Sequence, residues 1–261
     1  MAGAAGIPLG AVDFFAELEL NNTREWWTAH AADHARLVKG PMTALGEALA
    51  DEFGTPKVFR PHRDVRFSAD KSPYKTHQGV VVGTGPGMGY YVQVSARGLM
   101  VAGGWYAGTP EQIARFREVV AEEVDVRSLS SPRSGRDEGS LSNSRDEPRA
   151  RSLSRPPNEP DLRSLSSPRS GRDEGPGAQL ERIVTALRDS GYEIGGDVLR
   201  SRPRGIAPDH PHLDLLRHKS LTAAVEYGVP EWMETPEVAD RVRVDWRELR
   251  PLMTWLAEWV G

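Results

Sequence analysis

The densest concentration of chemically able side chains lies between Arg63 and His77, where Arg63, Arg66, Lys71, Lys75 and His77 are interleaved with Asp64, Ser68, Asp70, Ser72 and Tyr74. Guanidinium forks and lysine ammonium groups recognise phosphate and carboxylate, and the hydroxyls of Ser68 and Tyr74 would add donors. With residues 64 to 68 extended, Asp64, Arg66 and Ser68 share one face, while Ser72, preceding Pro73, is held out of helix and opens a turn. The segment predicts an anion pocket with Arg63, Asp64, Arg66, Ser68, Asp70, Lys71, Tyr74 and Lys75 as binding residues. The competing reading is a salt-bridged turn in which Asp64 and Asp70 pin the arginines.

A second polar cluster comprises Arg200, Arg202, Arg204, Asp209, His210, His212, Asp214, Arg217, His218 and Lys219. It surrounds Pro211, which reads as the start of a short helix whose unpaired amides would favour an anion. If the two clusters meet across a sheet, Arg202, Arg204, His210 and Lys219 form the opposite wall of one basic cleft. Otherwise Asp209 caps the helix and the arginines are solvated. His77, His210 and His212 are the candidate proton carriers, because imidazole titrates near neutral pH.

Other chemistries find little support. The pair His30 and His34 lacks the glutamate of a zinc-protease helix, and His210 with His212 offers only two imidazoles, so no metal and no cofactor is assigned. Gly83–Gly89 lacks the Gly-Lys-Ser/Thr ending of a phosphate loop and reads as a hairpin connection. No Gly-x-Ser-x-Gly elbow occurs, and the chain has no cysteine, which removes thiolate nucleophiles, disulfides and zinc ribbons. No reaction type follows, and neither does an oligomeric state.

A formal charge of −4 disfavours bulk nucleic-acid binding. No apolar run nears the roughly 20 residues of a membrane span, and Met1–Gly10 lacks the features of a signal peptide, so a cytoplasmic protein without membrane contact is expected.

Thr23 opens a helix with Trp27, Ala31, His34 and Val38 near helical spacing, broken or kinked at Gly40-Pro41. A further helix carries Leu45, Leu49 and Phe53 on one face and stops at Gly54. From Val58 the period becomes two. Val65 and Phe67, then Val80 and Val82, then Tyr90, Val92 and Val94 alternate with other residues, predicting an antiparallel meander that runs to Trp105. Thr109-Pro110-Glu111 opens another helix. Leu180, Ile183, Val184 and Leu187 form a helix face, Ser220–Tyr227 reads as a returning strand, and Asp245–Glu248 is a capping box before a last helix kinked at Pro251.

Between these halves, the thirteen residues Arg127–Gly139 recur letter for letter at Arg163–Gly175, with a partial copy at Arg151–Arg155. Each full copy holds one large apolar residue, Leu129 or Leu165, so burial cannot offset an ordering entropy of about 1–2 kcal/mol per residue. The prediction is one α+β domain of 1–126 and 178–261, its sheet antiparallel-rich or mixed and flanked by helices, interrupted by a disordered insertion at 127–177. The insertion holds ten arginines and eight acidic residues, leaving the folded part at −6.

Three passages carry a family resemblance: Asn21–Trp27, Arg63–Thr76, and Pro203–Gly205 onward to Leu216. Together they resemble the domain of unknown function family 2461 over nearly the whole chain outside the insertion. That resemblance implies a single folded unit and transfers no mechanism. From the residues themselves, the expected function is binding, with turnover left open, of a small phosphate- or carboxylate-bearing ligand. A non-enzymatic protein- or nucleic-acid-interaction module is the alternative.

Overall fold

The computed structural model describes residues 6–64, 66, 70–122 and 175–261. Strand alternation organises the fold. β2 (His77–Gly85), β3 (Met88–Ser95) and β4 (Gly98–Trp105) form the expected meander, while Val65 and Phe67 of its expected first strand lie outside the described residues; β1 (Pro56–Val58), β5 (Glu193–Gly195) and β6 (Leu221–Gly228) complete a six-stranded sheet of order β1-β2-β3-β4-β6-β5. Every pairing is antiparallel. The β2–β3 turn needs Gly87, whose φ is +70° and whose missing side chain lets the Ala107 carbonyl approach.

One face of this sheet is the core. Val80, Val82, Tyr90, Val92, Val94, Leu99, Val101, Leu221 and Ala223 are all buried on it. They pack against α1 (Gly10–Leu20), α3 (Gly40–Phe53), α7 (Glu237–Glu248) and α8 (Arg250–Trp259). Phe53, Tyr90 and Trp246 make a three-ring contact at 5.1 to 5.4 Å that ties α3 and α7 to β3. Glu52, at the end of α3, accepts from Arg247 at 2.7 and 2.9 Å and from Arg250 at 2.6 Å. These arginines, Arg247 foremost, hold the Glu52 carboxyl down at about 2.

Helix ends follow their chemistry in most places. Thr23 caps α2 (Arg24–Asp33) by accepting from the Trp26 amide, and Thr109 and Gln112 cap each other at α4 (Pro110–Ala121). At Gly40-Pro41 the helix does not break. Pro41 supplies no amide, and the ladder widens into a π segment over His34–Lys39, with the Gly40 amide reaching the Ala35 carbonyl.

The C-terminal capping box is not one. Asp245 lies inside α7, because Val238, Val242 and Trp246 make a helical stripe that must be buried, and the chain breaks at Leu249, two residues before the amide-less Pro251. α5 (Pro176–Asp189) begins with the last two residues assigned to the insertion: Pro176 opens the helix and Gly177 is buried. Residues 123–174 lie outside the described residues, and with them the expectation of disorder. The flanks are close together, for a Cβ on Gly177 would stand 2.6 Å from the Val120 carbonyl oxygen.

Asp245 is buried among polar partners instead. Its Oδ1 accepts from the Tyr227 hydroxyl at 2.8 Å and the Tyr192 hydroxyl at 3.1 Å, and the Tyr192 hydroxyl is also 3.2 Å from Glu248 Oε2. Asp245 Oδ2 is buried and finds no partner among the described residues. Burial pushes the Asp245 carboxyl above its usual range.

Two outcomes follow from this architecture. Replacing residues 127–174 by a short Gly/Ser linker should shift Tm by less than about 2 °C, since the flanks already touch; a fall of 10 °C by calorimetry would show that the segment contributes to the core. A carboxyl whose folded pKa is raised stabilises the fold while protonated and weakens it as pH rises through that pKa. Asp245→Asn should therefore have a higher Tm than the wild type at pH 8, and the gain should shrink toward pH 4. A gain that grows on acidification would contradict the assignment.

Candidate functional site

The site begins where β1 ends. The Phe59 amide still donates to the Gly79 carbonyl at 3.0 Å, after which the chain leaves the sheet and returns as β2 at His77. The excursion is closed at its neck by a backbone bridge between His62 and Tyr74, with the Arg63 amide donating to Pro73 and the Lys75 amide to Pro61.

Tyr74 is the anchor of this loop. Asn22 uses its side-chain amide as a strand would, donating to the Tyr74 carbonyl at 2.9 Å and accepting from its amide at 3.1 Å. Trp27 stacks on the Tyr74 ring at 4.2 Å with 10° between the planes. Tyr74, expected as a ligand donor, is 5% exposed and serves packing. Two of the motifs singled out in the sequence, Asn21–Trp27 and Arg63–Thr76, are thus in contact with each other.

The acidic residues of the loop are committed internally. Asp64 takes both ends of the Arg66 guanidinium, at 2.9 and 2.6 Å, and accepts the Arg66 amide as well. Val65, Phe67 and Ser68 of the extended run expected through residues 64–68 lie outside the described residues; at Arg66 a side-chain oxygen two residues back takes the amide. Asp70 pairs with Arg63 and accepts from the Ser72 amide at 2.9 Å, so Ser72 and Arg63 hold its carboxyl at about 2. Lys71 is exposed, and Ser68 lies outside the described residues.

Arg63, Asp64, Lys75, Thr76 and His77 line a cavity of about 310 Å³ at the mouth of β2. The Lys75 ammonium lies 5.0 Å from the centre of the Phe59 ring and makes no ion pair among the described residues. Partial burial and the neighbouring Arg60 lower its pKa. Burial, then Lys75 and Arg63, lower the His77 imidazole below its usual value, which favours its neutral form. Three basic groups therefore line this space with Asp64, which is paired with Arg66, while Asp70 is paired with Arg63.

The second cluster does not join them. His77 pairs with Ser95 at one end of the sheet, whereas Lys219 precedes Leu221, which pairs with Trp105 at the other. Eight residues at about 3.3 Å each put those ends roughly 25 Å apart, before the spacing between strands is added. The cluster is also occupied. Lys219 pairs with Asp197 at 2.5 Å, Arg217 donates to the Leu199 and Arg200 carbonyls, and Arg202 donates to Ile206. His210 Nδ1 accepts from the His212 amide, and His212 Nδ1 is 3.3 Å from Glu181. Arg204 and Asp209 are exposed. The helix after Pro211, α6 (Leu213–Leu216), has four residues and no side-chain cap, too short for the terminal amides and dipole the sequence suggested.

The remaining histidines pack. His30 stacks on Trp26 at 4.1 Å, and His34 is buried against Phe14 and Trp27. Among the described residues, no three metal-ligating side chains cluster.

What sequence reasoning passed over is the other face of the sheet. Val81, Gly89, Tyr91, Met100, Ala102, Gly104, Thr222 and Ala224 line a second cavity of about 340 Å³, with Phe59 and Tyr106 at its sides. The signal was present in the strand alternation, since Gly79, Gly89, Ala102, Gly104 and Ala224 fall on one face and give it little side-chain volume. Tyr91 uses that room. Its hydroxyl would stand 2.3 Å from any Cβ at position 79, so the ring lies across Gly79, where the hydroxyl donates to Gln93 Oε1 at 2.8 Å.

The fold and site define an α+β protein with an antiparallel sheet and a basic notch at one sheet end. Residues 10–255 match the model of a family described as a conserved hypothetical protein, DUF2461, and the chain belongs to that family. No curated protein and no solved structure matches it.

Asn22→Ala removes both bonds to Tyr74 and leaves its backbone groups half-buried without partners. A loss of about 1–3 kcal/mol in urea unfolding is expected, together with faster proteolysis between Arg60 and Thr76. Unchanged stability and cleavage would remove Asn22 from its anchoring role.

Proposed function

We propose that the protein binds a small molecule through a phosphate or carboxylate group held by Arg63, Lys75 and His77. The observation that carries this reading is the cavity at the mouth of β2, into which these groups converge while Asp64 and Asp70 are engaged by Arg66, Ser72 and Arg63. Like charges held together at partial burial disfavour one another, and a bound anion relieves that repulsion. The arginine offers a planar fork and the lysine a point charge, which suits an oxyanion. Asp64 holds Arg66 at two guanidinium nitrogens, whereas Arg63 meets Asp70 through one nitrogen and lines the cavity, which favours Arg63 for the binding role that the spacing also allowed to Arg66.

His77 adds a pH dependence. An anion beside it favours the imidazolium, so binding takes up a proton and strengthens as pH falls from 8 to 6. His77 is also the group in this cavity suited to carrying a proton at neutral pH, should the ligand be turned over.

Titration calorimetry with inorganic phosphate, acetate and succinate tests the reading. Binding is expected to weaken as salt is raised, to fall at least tenfold in Lys75→Gln and in Arg63→Ala, and to lose its pH dependence in His77→Asn. No binding of any of these anions, or equal binding by the Lys75 and Arg63 variants, would sink it. Binding confined to an acidic polypeptide or a nucleic-acid strand would instead favour an interaction module.

A further inference from the structure

The basic notch and the apolar cavity on the sheet face opposite the core have separate linings that touch where Lys75 of the one meets Phe59 of the other. Phe59 lines the apolar cavity and its ring carries the Lys75 ammonium at 5.0 Å, while its other neighbour is Tyr91, with ring centres 6.1 Å apart. Strand register extends the connection. His77, Gly79 and Val81 project to the same face of β2, opposite Ser95, Gln93 and Tyr91 of β3. Moving along that face, the order is the basic notch, then the Tyr91–Gln93 hydrogen bond, then a cavity floored by small residues.

We infer that the ligand is an amphipathic anion: its charged group sits at Arg63, Lys75 and His77, and its apolar body lies in the cavity on the sheet face opposite the core, against Phe59, Tyr91, Met100 and Ala102. The inference rests on the anion-binding reading and adds the class of molecule. Burying an apolar body is favoured here because the cavity presents few polar atoms, the Thr222 hydroxyl and the rim tyrosines among them, and its 340 Å³ falls at the small end of ligand pockets. Four residues of strand separate His77 from Val81, about 13 Å. A straight chain advances about 1.25 Å per carbon, so roughly ten to twelve carbons span that distance and reach the cavity. The Tyr91 ring lies across Gly79 between the two, with its hydroxyl on Gln93, so a chain leaving its polar head runs along that ring.

Chain-length series distinguish the two layers of the argument. Alkyl carboxylates from acetate to dodecanoate and the matching alkyl phosphates are titrated against the protein, with 1-decanol as the uncharged probe. Affinity is expected to rise by up to about fourfold per methylene and to level off once the cavity is full. Decanol should bind at least tenfold more weakly than decanoate, and the better of the carboxylate and phosphate series identifies the head group.

Ala102→Leu and Ala224→Leu, each checked for an unchanged circular dichroism spectrum and a cooperative melt, should lower decanoate affinity at least tenfold while leaving acetate or phosphate binding as it was. If short anions bind and chain length has no effect, or if neither cavity-filling variant weakens decanoate, the apolar site is refuted and the anion site stands. If decanol and decanoate bind equally and Lys75→Gln changes neither, the anion site fails and the amphipathic assignment fails with it.

Discussion

The side-chain amide of Asn22 hydrogen-bonds both backbone groups of Tyr74, and Trp27 lies flat on the Tyr74 ring. Through these contacts the first turns of α2 set the position of a loop some fifty residues further along the chain. The loop carries a high density of charge, and charged loops do not order themselves by ion pairs at the surface, which contribute little. Two satisfied backbone groups and a stacked aromatic pair supply what the ion pairs cannot, and Arg63, Lys75 and His77 take their places from that anchor. Asp64 and Asp70 then act within the loop, one folding Arg66 back and the other bracing Arg63 and Ser72.

A second constraint comes from the sheet. Strand residues alternate between faces, and the bulky set, Val80, Val82, Tyr90, Val92, Leu99 and Val101, faces α1, α3, α7 and α8. The opposite set is rich in glycine and alanine, and the same alternation that builds the core leaves a shallow apolar depression behind it. Gly79 has a specific reason to lack a side chain, for Tyr91 occupies the space where one would be. Glycine weakens a strand by leaving nothing to pack, so its recurrence here is a cost in stability on the face that carries the apolar cavity.

The helical side shows two ways of treating carboxylates. Glu52 lies at the junction of α3 with α7 and α8, met by Arg243, Arg247 and Arg250, and is held strongly acidic. Asp245 is buried with tyrosine hydroxyls as its donors and one oxygen unmatched among the described residues, and its proton becomes harder to remove. Both lie on the helix side of the sheet, away from the basic notch.

Local chemistry in the sequence determined much of this protein. The meander, the threonine caps of α2 and α4, the antiparallel pairing and the membership signalled by Asn21–Trp27 and Arg63–Thr76 were legible because caps, turns and alternation act over a few residues. The basic character of Arg63–His77 was legible for the same reason. Tertiary structure decided which of those residues face a cavity and which brace the loop: it turned Tyr74 into an anchor, folded Asp64 and Arg66 onto each other, and drew Asp245 into α7. It also decided that Arg200–Lys219 lies at the far end of the sheet from His77, because strand order and register set that distance. Periodicity along one strand reports which face a residue takes, but it carries no information about which strand lies beside it.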